Sequence, residues 1–130
     1  MGQGGPENQD GRDDRRGRRL PVDLPASLGG RLARPARVVD LSLVGCLARL
    51  EAPLDEGVVV DLGVELPDGT VRMKARVAES SVDGDSLPGP SRRFLAGLEF
   101  LALAAADELR LRAFLEAEVK RRRGAHPAPS

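Results

Sequence analysis

The sequence predicts an all-β fold, a barrel or sandwich of about six short strands, followed by one C-terminal α-helix. Between Leu20 and Phe100, short apolar runs alternate with turn signals rich in Gly, Pro and Asp, which is typical of antiparallel strands joined by tight connections. After Phe100 the apolar residues recur every three or four positions, which indicates a helix. The helix then has to cover part of the sheet, because an amphipathic helix buries its apolar face.

Six segments have the composition and length of strands. They are residues 22–28, 34–43, 46–50, 58–66, 71–80 and 94–100. The clearest turn is Pro67-Asp68-Gly69, because Pro presets φ, Asp bonds to its own backbone and Gly reaches positive φ. Residues 81–92 contain Gly, Pro and Ser at many positions, which predicts a mobile surface loop.

The helix is predicted from apolar residues at positions i, i+3, i+4 and i+8. They are Leu111, Phe114, Leu115 and Val119. Asp107 lies in the first turn and residues 120–123 (KRRR) in the last turn, where each charge complements the helix dipole. Gly124 is expected to end the helix. We expect its apolar face to cover the open end or side of the barrel.

Composition divides the chain into one folded domain and two tails. Residues 1–11 and 124–130 have almost no apolar side chains to bury, so both are predicted to be disordered. The folded domain is predicted to span residues 12–123. No apolar run approaches the roughly 18 residues of a transmembrane helix, and no signal-peptide pattern is present. The sequence therefore predicts a cytoplasmic protein without membrane insertion.

Few residues of this chain are suited to catalysis or metal binding. Cys46 is the only cysteine and His126 the only histidine, so the sequence predicts neither a zinc site nor a catalytic triad around Ser42. No phosphate-binding loop of the Gly-x-x-x-x-Gly-Lys type occurs. Cys46 is predicted to be a small core residue. We expect no enzymatic activity, no catalytic residues and no cofactor.

Charge and aromatic content limit the classes of ligand. Lys plus Arg and Asp plus Glu each number 20, and Phe is the only aromatic residue type, at three positions. A neutral, aromatic-poor protein is a poor candidate for a general DNA- or RNA-binding surface. The positive charge is bunched in residues 12–19 and 120–123, so any electrostatic function is expected to be local.

The stretch 38–48 (VVDLSLVGCLA) places polar residues inside an apolar strand. Strand alternation predicts that Asp40 and Ser42 point outward as neighbours, while Val39 and Leu41 face the core. Gly45 can adopt positive φ or leave room for a ligand. A solvated strand face followed by a bulge accounts for these residues when they are taken alone.

An arginine pair adds a second signal. Arg15 and Arg19 lie four residues apart just before the first predicted strand. Guanidinium groups bind phosphates and the O6/N7 edge of guanine with two parallel hydrogen bonds, and a carboxylate such as that of Asp40 accepts from the N–H groups on the opposite edge. The two segments together are complementary to a guanine nucleotide.

Arg15-x-x-x-Arg19, then Asp40-x-Ser42-x-x-Gly45, then residues 97–100 (GLEF) ahead of a helix, resemble the PilZ domain, the bacterial receptor module for cyclic di-GMP. The resemblance runs from about Asp14 to about Arg121. It implies a six-stranded antiparallel β-barrel with a C-terminal helix. It also implies an N-terminal arginine segment that is flexible without ligand and wraps over ligand bound to the barrel.

The resemblance also implies the ligand-binding residues. They are Arg15, Arg16, Arg19, Asp40, Ser42 and Gly45. Arg15 and Arg19 would contact phosphates and the guanine O6/N7 edge, with Arg16 or Arg18 assisting the pair, and the guanidinium planes would stack on the bases. Asp40 and Ser42 would bind the other guanine edge and nearby ligand atoms, and Gly45 would allow close approach. Asp14 departs from an all-basic segment, because an acid there repels phosphate.

The sequence thus predicts a cyclic di-GMP receptor that signals to an unidentified protein partner by ordering its N-terminal arginine segment. One alternative is an adaptor that has the same fold and binds a protein with little or no nucleotide affinity. Another is nonspecific binding of nucleic acid or anionic membrane through residues 15–19 (RRGRR) and 120–123. Zero net charge and the interleaved Asp13 and Asp14 disfavour the latter.

Overall fold

The computed structural model describes residues 18–29 and 34–125, which form a closed antiparallel barrel of six strands and one long helix. The elements are β1 (Leu20–Leu28), β2 (Arg34–Leu41), β3 (Gly45–Leu50), β4 (Val59–Leu66), β5 (Gly69–Val82), β6 (Phe94–Ala102) and α1 (Ala105–Ala125). Around the barrel the strands follow the order β1-β2-β3-β6-β5-β4, and β4 pairs with β1 to close it. The predicted fold is confirmed.

The strand boundaries differ from the predicted ones mainly near the polar motif. Strand β2 ends at Leu41, because Ser42 begins a tight turn, so the prediction that the strand continues to residue 43 is wrong. Helix α1 continues through Gly124 to Ala125, so the prediction that Gly124 ends the helix is also wrong. The predicted tail residues 1–11 and 126–130 lie outside the described residues.

The core is built from strand positions that alternate between the interior and the surface. One row crosses five neighbouring strands at the same level: Leu20, Leu41, Cys46, Leu98 and Val77. All five side chains are buried. Such rows form because residues two apart on a strand share a face, so a sequence with period two fills a barrel interior. The prediction that Cys46 is a core residue is confirmed.

The β4–β5 connection is the predicted hairpin. Leu66 and Gly69 pair across a two-residue turn of Pro67 and Asp68, and Gly69 has φ 145°. Every residue from Val59 to Leu66 has a partner on β5. The register of this hairpin is therefore set by its turn, as two-residue connections require.

The connection between β5 and β6 falls where composition predicts a surface loop, and side-chain hydrogen bonds join its two ends. The Asp83 carboxylate accepts hydrogen bonds from Arg49 Nε (3.1 Å) and from the Asp85 N–H (3.0 Å). The Ser86 hydroxyl donates to the Asp83 carbonyl (2.7 Å) and accepts from the Arg93 N–H (2.9 Å). Composition predicts where a loop occurs, whereas these contacts depend on the strands that bring its ends together.

Helix α1 lies across an incomplete seam of the barrel. Strand β1 pairs with β4 only at Ala26–Leu28, so the first half of β1 has no strand neighbour on that side. Arg110 donates to the Thr70 carbonyl, just after the β4–β5 turn (3.3 Å), and Arg122 donates to the Pro21 carbonyl in β1. The helix therefore spans the seam from the hairpin to the start of β1.

The apolar face of α1 fills the space behind this seam. Leu111 is 1% exposed and belongs to the barrel core, while Phe114 and Leu115 are partly buried against it. This confirms the prediction that the apolar face of the helix covers part of the barrel. None of the helical stretches in the described part of the chain has the length and hydropathy of a membrane-spanning helix.

Candidate functional site

The described part of the arginine segment leads directly into β1. Arg18 and Arg19 are exposed and precede Leu20, the first residue of the strand. Leu20 lies opposite Leu41, the last residue of β2, so the backbone places Arg19 beside the β2–β3 turn. Arg15 and Arg16, which the sequence also predicts as ligand contacts, lie outside the described residues.

The charge of Arg19 acts on the residue that follows Gly45 in β3. Burial raises the pKa of the Cys46 thiol from 9.0 to about 12, and the positive charge of Arg19 opposes this rise. A guanidinium that influences Cys46 must lie near the start of β3, because Coulomb interactions weaken with distance. The side chain and the backbone of Arg19 thus both indicate proximity to the β2–β3 turn.

Asp40 is the one charged residue in a row of four paired residues on the outside of the barrel. Its partners on the neighbouring strands are Pro21 and Leu47, and Leu47 in turn pairs with Gly97. Asp40 and Leu47 are half-buried and Pro21 is exposed. We name these four residues the Asp40 platform. It offers a carboxylate beside a shallow surface with few bulky side chains.

Glu79 borders this platform on the β5 side. It pairs with Gly97, and its Cγ lies 3.0 Å from where a Cβ on Gly97 would be. A side chain at Gly97 would therefore push Glu79 away from the sheet. The glycine lets Glu79 lie flat against the barrel, so the outer row carries two carboxylates, that of Asp40 next to Pro21 and that of Glu79 at the β5 end.

A β-bulge in β2 changes the direction of the side chains that follow it. Val38 pairs with Ala48 and Asp40 with Leu47, so Val39 is an extra residue on β2. Strict alternation would bury Val39 and turn Val38 outward, but Val38 is 0% exposed and Val39 is half-buried. The prediction of an unbroken alternation in this strand is wrong, because an inserted residue shifts the faces of those around it.

Ser42 is fully buried, so the prediction that it lies beside Asp40 on the outer face is wrong. Its hydroxyl accepts from the N–H groups of Val44 and Gly45 and donates to the Gly45 carbonyl, each at 3.1 Å. The Ser42 N–H donates to the same carbonyl at 2.9 Å. Ser42 therefore replaces the missing strand hydrogen bonds at the turn, as Ser side chains do in tight turns.

Gly45 is required by its neighbour on β6. A Cβ at this position would lie 2.4 Å from the Leu98 carbonyl oxygen, which no real Cβ approaches so closely. Gly45 is not among the glycines of positive φ. Of the two alternatives given for Gly45, positive φ is not the one observed, and the group that comes close to its backbone in the structure is the Leu98 carbonyl of β6.

The C-terminal end of α1 brings further cations to this side of the barrel. Arg122 donates to the carbonyl of Pro21, the platform residue opposite Asp40. Glu118 pairs with both Arg121 (2.7 Å) and Arg122 (3.3 Å), and the hydrogen bond from Arg121 is the main cause that lowers the pKa of Glu118. Residues 120–123 carry four positive charges against this one carboxylate.

These residues form a site suited to an anionic ligand that also carries hydrogen-bond donors. Arg18 and Arg19 supply positive charge at one edge, and Asp40 supplies an acceptor on the platform. The described residues contain no group of His, Cys, Asp and Glu that could hold a metal ion.

Sequence reasoning missed four residues that the tertiary structure brings to the Asp40 platform or to its edge. They are Pro21, Leu47, Glu79 and Arg122. Gly97 was part of the GLEF motif, but its position beside Leu47 follows from the β3–β6 register. No local pattern could have found the other four, because each comes from a different element.

The PilZ domain family model matches residues 13–117 of this chain, well over half of its length. None of the curated proteins is similar enough to count as a match.

Solved structures share the fold at low sequence identity. The inhibitor of motility from Bacillus subtilis (MotI/DgrA) superposes with a TM-score of 0.67 at 19% identity. The match covers 84% of this chain and 51% of that one, so this chain spans about half its length. The PilZ domain of YcgR from Escherichia coli, solved with c-di-GMP, has a TM-score of 0.64 at 20% identity, covering 85% of this chain and 95% of that one.

A third similar structure is the PlzA protein of Borreliella burgdorferi in complex with c-di-GMP. Its TM-score is 0.58 at 11% identity, and the match covers 95% of this chain and 60% of that chain. At these identities the structures establish the barrel fold, while the family model establishes the sequence relationship. The chain therefore belongs to the PilZ domain family.

Proposed function

We propose that this protein is a non-enzymatic receptor for cyclic di-GMP, which binds at the Asp40 platform beneath the arginine segment 15–19. The observation that carries the proposal is the pairing of β1 with β2, which brings the residues next to Arg19 and Asp40 together. Two similar PilZ structures, those of YcgR and PlzA, are complexes with c-di-GMP, which supports this choice of ligand.

Two kinds of side chain would bind different parts of the ligand. Asp40 would accept hydrogen bonds from the N–H groups of one guanine edge, since an ionised carboxylate only accepts. Arg19, with Arg15 and Arg16, would bind phosphates and the O6/N7 edge through their guanidinium forks. Leu47 and Gly97 would leave the sheet surface low enough for a flat base to lie on it.

Ser42 and Gly45 would contribute indirectly. The Ser42 hydroxyl bonds to the backbone of its own turn at three points, and Gly45 lies against Leu98. Both residues would hold the end of β2 in the geometry that presents Asp40.

The state of the two candidate nucleophiles, Ser42 and Cys46, is consistent with a protein that binds its ligand without reacting with it. The Ser42 hydroxyl is buried and engaged by backbone groups, and burial raises the pKa of Cys46 to about 12. A thiol with such a pKa is almost entirely protonated near neutral pH and is a poor nucleophile. Neither group is available to attack a ligand on the platform.

Ligand binding would order residues 12–19 against the start of β1, and helix α1 meets β1 at the same place through Arg122 and Pro21. The surface formed by the arginine segment and the end of α1 would therefore change with ligand, and an unidentified protein partner would recognise one of its states. Folding of a segment on binding lowers affinity but creates such a switch.

Titration calorimetry with cyclic di-GMP tests the binding function. We expect Asp40→Ala and Arg19→Ala each to weaken binding about tenfold or more, because each removes charge-assisted hydrogen bonds of roughly 1.5–3 kcal/mol. Arg92→Ala is the matched control, since this arginine is exposed on the β5–β6 loop. Urea unfolding of each variant separates lost contacts from lost fold.

The adaptor alternative predicts no binding of cyclic di-GMP in the same titration. A native chain that shows no heat with cyclic di-GMP, or undiminished affinity in both Asp40→Ala and Arg19→Ala, would rule out the receptor. Affinity for GTP equal to that for cyclic di-GMP would also contradict it, because the site is proposed to recognise the cyclic dinucleotide.

A further inference from the structure

A second concave surface lies on the outside of β1, β4 and β5, in a different part of the barrel from the Asp40 platform. It has a volume of about 490 Å³ and is lined by Ser27, Asp61, Gly63, Arg72 and Lys74, among others. We name it the Gly63 groove. Gly63 forms its floor, because it pairs with Ser27 on one side and with Arg72 on the other.

The fold itself does not require glycine at position 63. Gly63 is not among the glycines of positive φ, and β4 pairs with β1 and β5 around it without a bulge. A Cβ there would lie 3.3 Å from the Ser27 hydroxyl oxygen and 3.7 Å from Arg72 Nη1, both at the ends of side chains that can move. This contrasts with Gly45, whose Cβ would meet backbone at 2.4 Å.

Glycine inside a strand weakens it and often marks a place where another molecule comes close to the backbone. At Gly63 the atoms nearest to a Cβ would be the Ser27 hydroxyl oxygen, the Thr70 methyl carbon and Arg72 Nη1, so the glycine keeps the floor of the groove low and lets the Arg72 guanidinium lie over it.

Arg72 supplies the chemistry of the groove. Three cations point outward along β5, and two of them face an acid across the sheet: Lys74 pairs with Asp61 (2.6 Å) and Arg76 with Glu99 (3.6 Å). Arg72 instead faces Gly63, and within residues 18–29 and 34–125 no carboxylate lies in salt-bridge contact with it. The groove therefore contains one neutral ion pair, Lys74 with Asp61, and one guanidinium that is not paired with a carboxylate of the described residues.

We propose that the Gly63 groove is a docking site for an acidic side chain, Glu or Asp, of a partner protein, with the carboxylate held by Arg72. A single guanidinium fork matches a single carboxylate by two parallel hydrogen bonds. The Ser27 hydroxyl, on the other side of Gly63, supplies one further donor. The lining carries one net positive charge, from Arg72 and Lys74 against Asp61, which matches one carboxylate better than a multiply charged phosphate group.

The groove is separate from the proposed ligand site. Its β1 residue is Ser27, at the end of the strand that pairs with β4, whereas the Asp40 platform uses Pro21 at the other end. The docking proposal does not rest on cyclic di-GMP binding, and each can fail without the other.

The test is a titration of the ¹⁵N-labelled full chain, followed by amide chemical shifts, with a capped tetraglutamate peptide. A capped tetraglutamine peptide serves as the uncharged probe. We expect saturable shifts at Gly63, Arg72 and Ser27 with the glutamate peptide, and none with the glutamine peptide. Equal shifts with both peptides, or none at these amides, would overturn the proposal.

Single substitutions test which residues contact the glutamate peptide. Arg72→Gln should weaken peptide binding at least fivefold, whereas Arg76→Gln, on the same strand and next to its own acid, should change it less than twofold. Gly63→Ala should fill the floor of the groove and weaken binding at least threefold, with a melting temperature no lower than that of the native chain. Undiminished binding in Arg72→Gln or in Gly63→Ala contradicts the proposal, and cyclic di-GMP affinity should be unchanged in both.

Discussion

The two halves of the candidate site differ in how they are held. The turn from Ser42 to Gly45 is closed by its own hydrogen bonds and is further tied to β6, where the Phe100 N–H donates to the Val44 carbonyl (2.9 Å). The residues just before β1, Arg18 and Arg19, are exposed cations on the surface. The first half is therefore part of the barrel's packing, while the second is available to a ligand.

This difference divides a short sequence motif into two kinds of residue. Asp40 is half-buried on the outer face, whereas Ser42 and Gly45 are buried. We expect changes at Ser42 and Gly45 to act first on stability, and changes at Asp40 and Arg19 to act on affinity with little effect on stability. Three experiments examine the buried half, from the largest expected effect to the smallest.

Gly45→Ala should have the largest effect. Its Cβ would lie 2.4 Å from the Leu98 carbonyl oxygen, so β3 and β6 would have to separate. Overpacking of this kind costs about 1–3 kcal/mol, and we expect the upper end of that range because the obstacle is backbone. Urea unfolding measures the loss. Gly84→Ala is the control, since nothing lies within 4 Å of its Cβ position, and a Gly45→Ala variant as stable as this control would show that the close contact is unimportant.

Ser42→Ala should have a smaller effect on the same measurement. The change leaves the N–H groups of Val44 and Gly45 without their acceptor in a buried turn. Unsatisfied buried donors cost roughly 1–3 kcal/mol, so we expect a loss of about 2 kcal/mol in the free energy of unfolding. Ser81→Ala, at an exposed position on β5, should be neutral. If Ser42→Ala instead lowers cyclic di-GMP affinity at unchanged stability, Ser42 acts on the ligand and not on the fold.

The smallest expected effect is the reaction of the Cys46 thiol with a labelling reagent, which should be almost undetectable while the protein is folded. Burial raises its pKa from 9.0 to about 12, so the folded protein keeps the thiol neutral. The stability due to the neutral thiol is complete below about pH 9 and is lost as the pH rises toward about 12. Labelling with a thiol reagent at pH 8 should therefore be slow, and it should become fast in urea. Fast labelling of the folded chain would show that the start of β3 opens readily.

Local sequence patterns predicted much of the architecture. The Pro67-Asp68-Gly69 turn, the spacing of the apolar residues on α1 and the alternation in most strands depend on neighbours along the chain, and the structure has each of them. The core position of Cys46 followed from its place on a strand and from the lack of a nearby base in the sequence that would activate its thiol. Such features are predictable because propensity and periodicity act over a few residues.

The candidate site was predicted less completely. The identities of Arg19 and Asp40 followed from motif spacing and from the chemistry of guanine. The burial of Ser42 did not, because β2 ends at Leu41 and the Ser42 hydroxyl turns toward the backbone of Val44 and Gly45 at the start of β3. The need for glycine at position 45 likewise comes from Leu98, more than fifty residues further along the chain.

The sequence by itself determined the order of the elements, the family and the residue types that can bind a guanine nucleotide. The tertiary structure decided which of those residues face outward and which hold the turn. It also placed Arg122 at Pro21 and left Arg72 facing a glycine. The physical reason is that a side chain's direction and its partners depend on strand register, and register is set jointly by strands that are distant in sequence.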